Sequence, residues 1–207
     1  MDEVLEQIRN CVDTQKIPYF DIACENCGKV LLPSEIVRSL YTAMGIFDAS
    51  TPAGYLYIDS YALPYLVLSG NNSVLGIQNV DVANGDLNIV SAIDCSLYDE
   101  YGTREPTHFG VNVEVGIKYD LNVDDLEYYS VYYIPSSGSA QKIEIAGYED
   151  GYVYFYTEHL STFALVYDKP VPPEPVPEKN WFVPAIVALI VVIAILGGTY
   201  AVVRKYR

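Results

Sequence analysis

His108-Phe-Gly-Val-Asn-Val-Glu-Val-Gly-Ile-Lys-Tyr119 decides the fold class. Phe109, Val111, Val113, Val115, Ile117 and Tyr119 alternate with His108, Gly110, Asn112, Glu114, Gly116 and Lys118. Successive side chains of a strand point to opposite faces, so this alternation predicts a strand with one dry face and one wet face. Further strands are predicted over 130–134, 142–146, 152–157 and 162–167, separated by the turns Ser136-Ser-Gly-Ser139 and Glu149-Asp-Gly151. Upstream, extended runs at 74–82 and 87–97 flank Asn84-Gly85, a hairpin-type turn. Strands at this spacing predict a β-sandwich or a similar antiparallel packing.

The N-terminal third is mixed. A helix is predicted over 2–12, with Val4, Ile8 and either Cys11 or Val12 on one face. Extended segments at 17–23 and 29–32 flank Cys24-Glu-Asn-Cys27, and a helix over 33–43 starts with Pro33 and Glu35 where both are favoured. Its apolar face is Ile36, Val37 and Leu40. A strand at 55–58 leads into a helical turn opened by Asp59 and Ser60 and limited by Pro64. The predicted class is mainly β (α+β): an antiparallel sandwich-like domain with short N-terminal helices and one C-terminal transmembrane helix.

That last helix is read from the tail. Lys169-Pro-Val-Pro-Pro-Glu-Pro-Val-Pro-Glu-Lys179 leads to Trp181, then 22 residues without a charge, Phe182 to Val203, then Arg204-Lys-Tyr-Arg207. About 20 apolar residues span a bilayer's hydrocarbon core as a helix, and this run is too long and uniformly apolar for a core helix of so small a domain. Trp181, Phe182, Tyr200 and Val203 mark the span and its interfaces, and Arg204, Lys205 and Arg207 suit the cytoplasmic side. Gly197-xxx-Ala201 is a small-xxx-small pattern that would let two such helices approach. The predicted organisation is a helix at 1–14, an extracellular surface domain at 15–168, a Pro-rich linker at 169–180, a span at 181–203 and a cytoplasmic tail at 204–207.

Charge agrees with an exterior body. The 27 acidic and nine basic residues before residue 180 give −18, against +3 in the tail. So acidic a body repels phosphate backbones, which excludes nucleic acid as a partner. The start Met1-Asp-Glu-Val-Leu-Glu6 has neither the basic nor the apolar region of a signal peptide, so an upstream region of a longer secreted polypeptide is expected.

The four cysteines are Cys11, Cys24, Cys27 and Cys95. One C-x-x-C pair without a second is not a four-thiolate zinc site, and Asn26-Cys27-Gly28 reads as a turn rather than a redox helix start. In an oxidising exterior a disulfide is expected, either Cys24–Cys27 or a pairing with Cys11 or Cys95. No metal, no cofactor and no metabolic catalysis are expected. The 20 tyrosines fall mostly in strands, where each covers apolar neighbours and keeps its hydroxyl wet. Such a sheet serves architecture first, and offers a glycan- or protein-binding face second.

The last quarter of the body carries a template. It runs Tyr128-Tyr-Ser-Val-Tyr-Tyr-Ile-Pro135, a glycine turn, Lys142-Ile-Glu-Ile145, Asp150-Gly-Tyr-Val-Tyr-Phe-Tyr-Thr157, then Glu158-His-Leu-Ser-Thr-Phe-Ala-Leu-Val166. Together these runs resemble the closing domain of many bacterial and archaeal cell-surface proteins. That domain ends on a valine-tyrosine-tyrosine strand, a hairpin, and a strand of threonine, acidic residue, histidine, apolar residue, serine-threonine, aromatic and alanine. Val30-Leu-Leu-Pro-Ser-Glu-Ile-Val37 and Thr51-Pro-Ala-Gly-Tyr-Leu-Tyr-Ile-Asp59 are similar to its earlier elements. The resemblance covers about residues 15 to 168 and implies a stalk or spacer next to a cell-wall or membrane anchor, without catalytic residues. Cys24, Cys27 and Cys95 depart from the pattern.

His159-Leu160-Ser161 also resembles the self-cleavage tripeptide of adhesion-receptor proteolysis sites. The resemblance implies His159 as general base and Ser161 Oγ attacking the Leu160 carbonyl, giving an ester that water splits. It needs backbone strain and an oxyanion partner, and the cysteine and tryptophan framework of that motif is missing here. Asn71-Asn72-Ser73 is a glycosylation sequon. Asp81, Asn84 and Asp86 lack EF-hand spacing, Asp124-Asp125 reads as cap chemistry, and His108 has no second histidine nearby in sequence. The expected function is a membrane-anchored stalk or spacer of a single-pass prokaryotic surface protein, with its body outside and its C-terminus cytoplasmic. Residues 181–203 would meet the lipid bilayer. The alternatives are a module whose Tyr-rich sheet binds a glycan or an extracellular protein, and an autoproteolytic domain.

Overall fold

Alternation along the strands is realised as two β-sheets facing each other across a shared core. The structure is a computed structural model that describes residues 1–66, 71–83, 85, 87–105 and 107–170. Two helices, α1 (Asp2–Asp13) and α2 (Ser34–Thr42), lie in its N-terminal quarter. One sheet contains β1 (Tyr19–Ala23), β3 (Ile46–Ser50), β4 (Gly54–Ile58), β8 (His108–Lys118), β12 (Tyr152–His159) and β11 (Ile145–Glu149), in that spatial order. The other runs β10 (Gln141–Ile143), β9 (Tyr129–Ile134), β13 (Thr162–Tyr167), β6 (Ile89–Tyr98), β5 (Ser73–Asn79) and β2 (Lys29–Leu32), with β7 (Arg104–Glu105) also paired to β6. The sandwich-like, mainly β reading holds, with one departure: β1 pairs with β3 in parallel.

The inner faces supply the core. Phe47, Leu56, Ile58, Phe109, Val115, Ile117 and Phe155 of the six-stranded sheet join Leu32, Leu75, Ile77, Ile93, Leu97, Phe163 and Leu165 of the other in one buried cluster. Fully burying one such side chain stabilises the fold by about 1.5–3 kcal/mol. Helix α1 enters the same cluster through Leu5 and Ile8, and α2 through Ile36, Val37 and Leu40. Residues 1–14 therefore pack as part of the unit Met1–Lys169. Pro33 has no side chain able to cap α2, and Asn72 Oδ1 accepts from the Ser34 N–H at 3.0 Å instead.

Two departures from the predicted strands have local causes. Val111 is exposed, because pairing jumps from Thr157↔Val113 to His159↔His108, leaving residues 109–112 opposite Glu158 alone while Phe109 stays in the core. The single strand expected at 142–146 breaks at Glu144, where the chain leaves one sheet as β10 and enters the other as β11. Strand β3 has no counterpart among the predicted elements. The Asp150-Gly151 turn between β11 and β12 has φ of 50° and 83°, the two positive angles that suit a tight hairpin.

On the outer face of the second sheet one carboxylate links β6 to β7 and β13. Asp94 Oδ1 accepts from Arg104 at 2.8 Å and from the Thr162 hydroxyl at 2.9 Å, and Ser96 Oγ donates to Oδ2. Thr162 of the closing motif thus ties β13 to β6. Among the described residues no helix is long and apolar enough to cross a membrane. The predicted span 181–203, its markers Trp181, Phe182, Tyr200 and Val203, the basic end Arg204, Lys205 and Arg207, and linker residues 171–180 lie outside the described residues. Asn84 and Asp86 do so too.

Candidate recognition face

Rows of paired residues place tyrosines and carboxylates side by side on the outer face of the six-stranded sheet. One row reads Asp21, Asp48, Tyr57, Glu114, Tyr156 across β1, β3, β4, β8 and β12. The next reads Ala23, Ser50, Tyr55, Gly116, Tyr154, Gly147 and reaches β11. Their strand neighbours Leu56, Val115, Val153 and Phe155 point inward, so period two drives the tyrosines out. Tyr19 and Tyr152 extend the band at its two ends. None of the tyrosines among the described residues is buried.

Glycines let the rings lie down. A Cβ on Gly116 would overlap the Tyr55 ring, and one on Gly147 would overlap the end of Tyr154. Tyr55 meets Tyr152 edge to face, with centroids 5.1 Å apart, and Lys118 Nζ sits 5.8 Å from the Tyr152 ring centre.

Hydrogen bonds fix the acids unequally. The Tyr55 hydroxyl donates to Glu114 Oε1 at 2.6 Å, and the Tyr19 hydroxyl donates to Asp48 Oδ2 at 2.7 Å. Partial desolvation raises the pKa of both phenols, and the bonds to the carboxylates raise them further. Asp48 Oδ1 is buried and has no partner. Burial raises the Asp48 pKa, and the Asp21 and Glu114 charges add to it against the opposing bond from Tyr19. A hollow of about 370 Å³ opens here, lined by five carboxylates (Asp21, Asp48, Glu114, Glu149, Asp150), three tyrosines (Tyr55, Tyr57, Tyr152) and Ser50. A larger hollow of about 620 Å³ lies between α1 and α2, but no ring stacks in it and no orphaned polar atom faces it.

The residues singled out from sequence fall elsewhere. His159 packs its ring against Tyr133 at 4.6 Å and parallel to Phe163 at 5.9 Å. Its pKa is lowered by burial and by nearby His108, which pairs opposite it. The Leu160 N–H donates to Thr107 O, and Ser161 O accepts from the Cys95 N–H at 2.8 Å. No hydrogen bond joins the His159 imidazole to the Ser161 hydroxyl, and none of the three residues has a positive φ. The arrangement lacks the base–nucleophile contact that self-cleavage requires.

Cys24 and Cys27 form a disulfide, whereas Cys11 and Cys95 are free thiols. Cys95 lies in the core as a free thiol, where burial and then the Asp94 charge raise its pKa. Asn71 is exposed and donates to Glu100 at 3.1 Å, while Ser73 of the sequon is buried in β5 and bonds Leu66 O. Asp125 accepts from Lys169 at 2.6 Å, Tyr167 at 2.9 Å and Asn122 at 3.1 Å, and these bonds lower its pKa. Among the described residues no group of three or more His, Cys, Asp or Glu side chains is arranged to hold a metal ion. Sequence reasoning offers a Tyr-rich sheet as a binding face but names none of the tyrosines of this face for that role, and it does not pick out the acids beside them. The signal of the face is Tyr-x-Tyr at outward positions, 55/57 and 152/154/156, opposite a glycine on β8. The sequence matches no protein-family model and no curated protein.

Proposed function

We propose that this chain is an outward-facing surface module, held to a membrane through residues 181–203, that recognises a partner through the tyrosine face of its six-stranded sheet. One observation supports this reading above the plain spacer: six tyrosines, Tyr19, Tyr55, Tyr57, Tyr152, Tyr154 and Tyr156, lie on one sheet face in adjoining rows. Tyrosine offers large, rigid, amphipathic contact area with little entropy to lose, and is enriched where binding energy concentrates. The role is binding rather than catalysis. The test uses full-length protein in lipid vesicles: the double variant Tyr57→Leu/Tyr156→Leu should lose adhesion to cell-surface material at an unchanged melting temperature. Equal adhesion by the two proteins would remove the recognition reading.

The spacer reading keeps one specific support. The body ends at Lys169, where the Pro-rich run begins, and Lys169 is tied back to Asp125 at that point. A Pro-rich segment is a semi-rigid extended spacer of about 3.1 Å per residue. Protease added outside intact vesicles should then digest the body and leave a protected C-terminal fragment.

A further inference from the structure

We infer that the hollow between Tyr55, Tyr57 and Tyr152 takes the ammonium group of a lysine side chain presented by a basic segment of a partner protein. The inference rests on the recognition reading above and specifies its ligand. Aromatic faces attract cations through their quadrupole, and the attraction grows when water is excluded. Three rings and five carboxylates line this hollow, with no Lys or Arg among them. The rings already show the chemistry, because Lys118 places its own ammonium near Tyr152 from the neighbouring position on β8.

Two features distinguish the hollow from a merely acidic surface. Asp48 lines the hollow with one oxygen satisfied by Tyr19, while its other oxygen, enclosed by the chain, has no partner, so the carboxylate beside the rings keeps an unused acceptor. The carboxylates are also spread over β1, β3, β8 and the Asp150 turn instead of converging, and no metal-holding cluster occurs among the described residues. A bare metal ion needs several oxygens at one point. An ammonium on a four-carbon stem needs less: a ring face for its stem and head, and one or two carboxylates. The −18 of the chain before residue 180 steers a basic partner toward the body at long range.

Non-specific attraction is the rival explanation, and the experiment is built around it. Full-length protein in detergent micelles is titrated calorimetrically with a pentalysine peptide at physiological salt. Asp48→Asn and Glu114→Gln should each weaken binding at least fivefold, whereas Glu6→Gln on α1, with the same charge change, should stay within twofold. Tyr57→Leu should weaken binding about threefold or more, and Tyr57→Phe, which keeps the ring, should retain it. Equal losses in Glu6→Gln and Glu114→Gln would overturn the inference in favour of general charge attraction. Competition by calcium at micromolar concentration would overturn it in favour of a metal site. Binding of a neutral N-acetylglucosamine oligomer that is lost in Tyr57→Leu but kept in Glu114→Gln would overturn the lysine assignment and leave the recognition reading standing. A glucosamine trimer with free amines binding more tightly than pentalysine would likewise displace the protein partner. If no probe responds to any of these substitutions, the lysine assignment falls, and the recognition reading is decided by the adhesion test above.

Discussion

Asp94 and Asp48 occupy equivalent places, each on the outer face of a sheet, and their surroundings are opposite. Asp94 receives Arg104, Thr162 and Ser96, so both of its oxygens are used. Asp48 receives Tyr19 on one oxygen and keeps its other, buried oxygen without a partner. The first arrangement joins strands; its cation comes from β7 of the same chain. The second has neighbours of its own sign, Asp21 and Glu114, which raise its pKa on top of burial. A buried polar group left unpaired costs stability, and such costs persist where something other than folding selects them. One sheet therefore spends its acid on structure, and the other holds its acid open.

Substitutions can break this contrast at either end. The largest effect is expected from Asp94→Ala, which should lower stability by about 3 kcal/mol in urea unfolding by removing three accepted bonds and Arg104's partner. A loss under about 1 kcal/mol would mean that the network adds little. Gly116→Ala should cost about 2 kcal/mol, because the new methyl displaces the Tyr55 ring and its bond to Glu114. Loss of the Tyr55–Glu114 contact is checked by the titration of tyrosine absorbance, in which more of the change should fall in the ordinary phenol range than in the parent.

Thr162→Val should cost about 1 kcal/mol, one of the three donors to Asp94. Asp48→Asn should do the reverse and stabilise by under about 1 kcal/mol at neutral pH, discounted for the group's partial exposure. Its sign follows from linkage: a carboxyl whose pKa is raised in the folded state is worth most when protonated, and that stability is lost as pH rises from about 4 through the raised value. The gap between Asp48→Asn and the parent should open over that range and vanish in more acidic solution. A variant that is more stable and binds less would sharpen the comparison; a destabilised one would mean that Asp48 is structural after all.

What the sequence made legible was local. The β8 alternation, β2 and β13 were readable because period two is carried by neighbouring residues. Strand β3, Ile46-Phe-Asp-Ala-Ser50, was not, since Asp48 and Ser50 look like loop residues and its partner is remote in the chain, Tyr19 of β1 lying beside Ile46. The break at Glu144 was invisible because nothing in five residues says which sheet they join. The face was harder still. Asp48 and Glu114 lie in one row only through two intervening registers, so spacing along the chain does not bring them together. Conversely, the tripeptide His159-Leu160-Ser161 is conspicuous in sequence, yet its histidine ring is engaged with Tyr133 and Phe163.

The position of β13 has a mechanical meaning. It is the last strand before Lys169, and it is bonded along both sides, to β6 and to β9, instead of lying at an edge. A pull entering at Lys169 would first meet the Asp125 clamp and then two ladders, which must shear together where an edge strand would unzip bond by bond. Under a pull directed along β13, the end of this domain would therefore yield as a shear joint.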